Sequence, residues 1–250
     1  MRATFLLVTL LLPACSAPRF QATKTVEMEI PVTQAIRLHC KTHNGAIKVL
    51  RGDSTTTVQV HAELTARGHT QGEADERLER IDVGMTQDGD TLRIFGEYPH
   101  AAFAGDAPTF SFTLQVPEHM ALTLRSHNGG VATAGTTGPV DIETHNGAVA
   151  AMAASTSARV KTHNGAVYVR LDADDALDTQ IETHNGGVLV ALQGGCHGWL
   201  TAETHNGRLS LPAGAQEATV ERRSMRCRIG PETTTGKLDI RSHNGAIEVQ

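Results

Sequence analysis

The chain has 250 residues, with 22 Lys and Arg against 27 Asp and Glu and no long run of one sign. That balance leaves no basic patch of the kind nucleic-acid binding requires, so nucleic acid is not an expected partner. Hydrophobic residues make up 40%, aromatics only 4%, and 24 residues are glycine. The core must therefore be built from Val, Leu, Ile and Ala in thin layers.

The first segment carries Arg2 and then an apolar run from Phe5 to Leu12. Eight residues are too few for a bilayer-spanning helix, which takes about 20, but they suit the apolar core of a secretory signal peptide. Leu12-Pro13-Ala14-Cys15 resembles a bacterial lipobox. The resemblance implies that residues 1–14 are removed and that Cys15 is acylated, making the membrane a partner through a lipid anchor. Plain secretion with cleavage near Ala17 is the alternative. Residues 15–23 read as a tether.

Residues 24–121 read as an irregular, β-rich N-terminal part. An Asn44-Gly45 turn comes early. Val58, Val60, Ala62 and Leu64 alternate, as do Ile81, Val83 and Met85, then Leu92 and Ile94 beyond Asp88-Gly89. One short helix is expected at about Glu73 to Arg80, where Glu73/Arg77 and Glu76/Arg80 have the favourable i,i+4 order. Pro99 to Pro108 reads as a loop. Phe110, Phe112, Leu114 and Val116 form another strand, stopped by Pro117.

Residues 122–250 are governed by a repeat. Thr/Ser-His-Asn-Gly recurs seven times, beginning at Thr42, Ser126, Thr144, Thr162, Thr183, Thr204 and Ser242. From Ser126 the spacings are 18, 18, 21, 21 and 38 residues. The last gap holds two units if Ser224 to Ile229 is a worn copy of Ser242 to Ile247. A period near 20 residues is the mark of a solenoid whose units bury their apolar faces only against neighbours. The expected fold is all-β: a repetitive right-handed β-solenoid, β-helix-like, with a less regular N-terminal part and one short helix. A hairpin-based sandwich or meander is the alternative, because Asn-Gly between alternating strands also marks a hairpin.

Within a unit, alternation puts Val140, Ile142, Thr144 and Asn146 on one face and Asp141, Glu143 and His145 on the other. The residue two before each His is always charged (Lys41, Arg125, Glu143, Lys161, Glu182, Glu203 and Arg241) and must face water. Asn then points inward, where stacked amides would form a ladder, and Gly makes the turn by accepting positive φ. The ladder comprises Asn44, Gly45, Asn128, Gly129, Asn146, Gly147, Asn164, Gly165, Asn185, Gly186, Asn206, Gly207, Asn244 and Gly245.

Those features are similar to a bacterial putative-adhesin family of unknown function built from β-strand repeats. The resemblance rests on the early Asn44-Gly45 turn, the helix, strand, Asp-Gly turn and strand from Glu73 to Phe95, and the strand ending in Val116-Pro117. Leu122 to Gly129 and the Asn-Gly units that follow complete it, so that it covers roughly residues 24 to 250. It implies a β-helical, envelope-associated protein and names no partner, whether envelope protein or glycan. A His before nearly every Asn departs from the family's pattern.

On stacked coils His127, His145, His163, His184 and His205 would form an outward column about 4.8 Å apart. Neighbouring imidazoles could share a divalent transition metal; otherwise His is a turn residue copied with the repeat, and no cofactor is implied. Cys196 and Cys227 admit a disulfide in an oxidising compartment, although their phases differ, while Cys40 reads as a core residue. No nucleophile elbow, zincin motif, phosphate loop or dinucleotide fingerprint occurs. Three readings result. The first is a non-catalytic, adhesin-like or scaffold lipoprotein of the cell envelope, on the periplasmic or surface side. The second is a metal-binding envelope protein using the histidines. The third is a carbohydrate-active β-helix, against which the single Trp199 counts.

Overall fold

The computed structural model describes residues 20–32, 36–103, 106–153, 155–172 and 174–250. The signal segment, Cys15 and the tether up to residue 19 lie outside the described residues. The N-terminal part runs β1 (Phe20–Pro31), β2 (Arg37–Asn44), β3 (Ile47–Arg51), β4 (Thr57–Gly68), α1 (Gln71–Glu79), β5 (Asp82–Asp88) and β6 (Thr91–Glu97). A 3-10 turn at His100–Phe103 then leads to β7 (Thr109–Val116). Strand pairing reaches back into the segment read as a tether, since Phe20 already stands opposite Gly68. The helix starts two residues early because Thr70 caps it. Thr70 Oγ1 accepts from the Glu73 N–H, and the Glu73 carboxylate accepts from the His69 N–H at 2.8 Å, which satisfies two otherwise orphaned donors.

The repeats follow as strand pairs: β8 (Ala121–Asn128) and β9 (Val131–Ala134), β10 (Val140–Asn146) and β11 (Val149–Ala153), β12 (Ser157–Asn164) and β13 (Val167–Asp172), β14 (Asp178–Asn185) and β15 (Val188–Gln193), β16 (Gly198–Asn206) and β17 (Leu209–Ser210). After β18 (Gln216–Val220) and β19 (Ser224–Ile229), the last pair is β20 (Lys237–Asn244) and β21 (Ile247–Val249). In each pair the first strand belongs to one sheet and the second to the other. Equivalent strands of different units are hydrogen-bonded in parallel and in register: Thr144 lies between Ser126 and Thr162, and Asn146 between Asn128 and Asn164. Asn-Gly therefore carries the chain from one sheet to the other and does not fold it back as a hairpin.

The result is all-β, with two open mixed sheets. One has the order β1-β4-β7-β3-β9-β11-β13-β15-β21-β17, the other β18-β19-β16-β20-β14-β12-β10-β8-β2-β6-β5. Both are parallel through the repeats; the first is antiparallel at its β1 margin only, the second at both margins. Two expectations need correction. Ser224 to Ile229 is no worn repeat: β19 runs antiparallel to β16, with Leu200 opposite Cys227. The final unit also does not stack last. β20 inserts between β14 and β16, and β21 between β15 and β17.

The inward faces of both sheets share one core of aliphatic layers, such as Leu124, Ile142, Val160 and Ile181 against Val131, Val149, Val167 and Val188. Cys40 is fully buried in that layer, beside Leu124. Cys227 is a buried free thiol, so no Cys196–Cys227 bond exists; the Cys196 thiol donates instead to the Gln193 carbonyl at 3.1 Å. The two residues sit on different parts of the edge, one in the turn before β16 and the other in the middle of β19.

The stacking predicts an asymmetry between glycines. A Cβ at Gly147 would lie far inside the contact distance of the Gly129 carbonyl, which is backbone and cannot step aside, whereas a Cβ at Gly72 on α1 meets nothing. Gly147→Ala should lower stability by about 3 kcal/mol, and Gly72→Ala should be neutral or stabilising by up to about 1 kcal/mol, both read by urea unfolding.

Candidate functional site: the Asn-Gly corner and the histidine column

The corner is built from three residues with different tasks. The Thr or Ser is buried, and its hydroxyl donates to the Gly carbonyl of the neighbouring unit: Ser126 to Gly45 at 3.2 Å, Thr144 to Gly129 at 2.9 Å, Thr162 to Gly147 at 3.1 Å, Thr183 to Gly165 at 3.3 Å, Ser242 to Gly186 at 3.2 Å and Thr204 to Gly245 at 2.9 Å. Thr42, with no such neighbour, donates to the Phe110 carbonyl at 3.0 Å. The Gly N–H donates to the adjacent Asn carbonyl, as Gly129 does to Asn146 at 3.0 Å. Of the seven motif glycines only Gly45 has positive φ, at +124°. The others are required because the next corner presses on them, not for a left-handed turn.

The Asn amides form one unbroken ladder. Each Nδ2 donates to the next Oδ1 at 2.8–2.9 Å in the order Asn206, Asn244, Asn185, Asn164, Asn146, Asn128, Asn44. Asn44 ends it on the Ala107 carbonyl at 3.2 Å. The amides do not point into the core as the alternation implies. All but the half-buried Asn44 are exposed, because the strand bends at the corner and the period of two lapses there. All donors point one way, so each bond polarises the next.

Outside the corner the imidazoles stack as a single column of seven, not five. His43 and His243 join the expected His127, His145, His163, His184 and His205. The order is His43, His127, His145, His163, His184, His243, His205, with centroids 4.7–4.9 Å apart and ring planes within 7° of parallel. His243 stands between His184 and His205 because of the inserted strand. Two residues upstream the charged column runs Lys41, Arg125, Glu143, Lys161, Glu182, Arg241, Glu203. From Arg125 onward the sign alternates at every strand. Arg125 reaches Glu143 at 3.4 Å and Asp141 at 2.6 Å, Lys161 reaches Glu182 at 3.5 Å, and Arg241 reaches Glu203 at 3.8 Å. Stacking in chain order would have set Glu203 beside Glu182. The insertion of Arg241 replaces that repulsion with attraction on both sides. The alternation could have been read from the signs at these positions, had a non-sequential order been considered.

Among the described residues no three His, Cys, Asp or Glu side chains converge on a metal-sized point. Parallel rings keep their in-plane lone pairs side by side. His163 is held below the ordinary imidazole value of 6.5, first by lost hydration between its neighbours and then by charge on His145 and His184. His43 is lowered for the same reasons, with His127, His100 and Lys41 as the charges. His39, on the same sheet, is lowered by burial and then by Arg125, Arg93 and Lys41, which outweigh Asp141.

Two outcomes follow. Depressed folded-state values mean that above about pH 6.5 folded and unfolded chains bind equally few protons at these rings, and below it the unfolded chain binds more. Stability should therefore be level from pH 8 to 7 and fall as the pH drops through 6.5 towards 5; an equal melting temperature at pH 8 and pH 5 would contradict this. Arg241→Glu would set three carboxylates on adjacent strands and should cost about 1 kcal/mol, a deficit that shrinks in 1 M salt as the charges are screened.

No protein-family model matches the chain, and no curated protein does. Among solved structures, a putative cell adhesion protein from Clostridium sporogenes overlays with a TM-score of 0.54 at 11% identity, covering 91% of this chain and 99% of its own. A putative adhesin from Bacteroides fragilis covers 91% of this chain and 97% of its own at 11% identity, with a TM-score of 0.30. The chain thus shares with the Clostridium protein its overall β-fold.

Proposed function

We propose that this protein is a non-catalytic, adhesin-like scaffold of the bacterial cell envelope, anchored by acyl chains on Cys15. Its repeat region is read as a right-handed β-solenoid, the hand that strand twist favours for parallel crossovers. One observation carries the reading. The outward face of the long sheet presents the same groups once per strand, His beside a charge, over seven strands. A catalytic site needs unlike groups brought to one point; a uniform face suits an extended partner, an envelope protein or a glycan. The fold likeness to a putative cell adhesion protein is in keeping with the same reading. The carbohydrate-active alternative is weakened at Trp199, whose ring is covered by the Arg226 guanidinium at 4.6 Å and so offers no open platform on that side. Among the described residues no helix is long and apolar enough to cross a membrane, and anchoring is assigned to the lipid alone. Two or more acyl chains hold stably, since each buried CH₂ contributes about 0.8 kcal/mol.

Expressed in a bacterial host, the wild-type chain should sediment with membranes and Cys15→Ala should move to the soluble exported fraction. A variant that still sediments refutes the lipid anchor. The soluble Cys15→Ala form should rebind saturably to isolated envelopes. No saturable binding would overturn the adhesin-like reading and leave the anchor standing.

A further inference from the structure

We propose that the histidine column is a linear array of transition-metal sites, each formed by two imidazoles adjacent in space, and that it takes up at most three Zn²⁺, Ni²⁺ or Cu²⁺ ions per chain. The argument starts from supply. Seven exposed rings stand in one file at 4.7–4.9 Å. Imidazole nitrogen suits borderline divalent ions, and metal–nitrogen bonds are about 2.0–2.1 Å. Two nitrogens on one ion must therefore lie within about 4 Å, closer than two parallel rings hold theirs. Tilting a pair of rings about their side-chain bonds closes the gap. The column permits it, since every ring is exposed. The strands need not move, because the Asn ladder and the buried hydroxyls fix the backbone independently of the rings.

Protonation and metal uptake compete for the same nitrogens, and the stack prefers the metal. A file of imidazolium ions would be a file of like charges on adjacent strands. One divalent ion shared by two rings leaves those rings neutral. Glu143, Glu182 and Glu203 flank alternate strands of the file, and their ion pairs at 3.4–3.8 Å are solvent-exposed. Such pairs contribute little, so a carboxylate can turn to complete a coordination sphere with water. Seven rings in a file give three disjoint pairs and one ring over, which sets the ceiling of three ions.

The test separates adjacency from the mere number of histidines. Two variants of the full chain each keep four of the seven rings. The interrupted variant changes His127, His163 and His243 to Gln and leaves no two rings adjacent. The contiguous variant changes His184, His243 and His205 to Gln and leaves His43, His127, His145 and His163 as two pairs. Each is titrated with Zn²⁺ and with Ni²⁺ by calorimetry at pH 7.5, after its melting curve at pH 8 without metal is matched to the wild type. The wild type should bind two to three ions. The contiguous variant should bind up to two with unchanged affinity, and the interrupted variant should lose affinity on the order of tenfold or more. Equal loss in both variants, no loss in either, or wild-type binding no tighter than that of free imidazole would each overturn the proposal. If the interrupted variant folds poorly, changing His43, His145, His184 and His205 instead also removes every adjacent pair.

Discussion

The repeat region depends on how closely one Asn-Gly corner rests on the next. Six of the seven motif glycines lie against the carbonyl of the motif Gly on a neighbouring strand, and Gly45 against that of Phe110, with no room for a side chain. At that approach the backbone hydrogen bonds continue around the bend, Gly N–H to Asn carbonyl, instead of stopping where the strand ends. Those bonds give the corner backbone partners that a bend between two sheets would otherwise lack. The Thr or Ser follows from the same constraint. The Gly carbonyl faces the interior, and only a short hydroxyl at that position reaches it. A Val would fill the same volume and leave the carbonyl without that hydrogen bond. Asn answers on the solvent side, where its amide continues the ladder between units. Spacing between corners is free to vary from 18 to 21 residues because nothing outside the corner must repeat so strictly.

An open sheet with in-register parallel strands invites further strands at its ends. Three of the four sheet margins carry antiparallel structure here, and the fourth ends on the two-residue strand β17. At one end β1, β4 and β7 finish one sheet, and the β5–β6 hairpin finishes the other. At the far end β19 and β18 cover β16. The Arg226 guanidinium lies on the Trp199 ring, and the nearly buried Arg228 is held by Glu217 at 3.0 Å and the Gly230 carbonyl at 2.6 Å. Glu217 sits at φ +51° beside a register shift, the sort of irregularity that stops a strand from pairing onward.

The inserted C-terminal unit joins these themes. Hydrophobic matching alone would accept β20 on either side of β16, since Leu238 and Ile240 repeat the pattern of Leu200 and Ala202. Charge discriminates. Between β14 and β16, Arg241 faces Glu182 and Glu203, and Asn244 completes both the amide ladder and the backbone bonds of the corner. Placed outside β16, the same unit would leave Glu182 against Glu203 and would compete with β19 for the edge. The outward face thus has its present histidine order for reasons unrelated to the histidines.

Much of this was legible in the residues. The seven Thr/Ser-His-Asn-Gly copies, their period and the alternation around them determined an all-β chain of stacked units, with the charged residue and His outside and the aliphatic residues within. The helix near Glu73 and the Asp88-Gly89 hairpin were legible from i,i+4 charge order and from turn chemistry. Other features were settled only by tertiary structure. The inward period of two carried Asn146 into the core on paper, and the bend at the corner turned it out. Glycine looked like a positive-φ device, and close packing of the corners proved to be the cause at six of seven positions. Ser224 to Ile229 imitated a repeat because a strand pointing Met225 and Cys227 inward has the same alternation whether it runs parallel or antiparallel. The order of units, and with it a column of seven rings instead of five, could not be read from spacing. Strand order is a long-range choice among similar edges, settled by groups that lie far apart in the chain and meet only once it is folded.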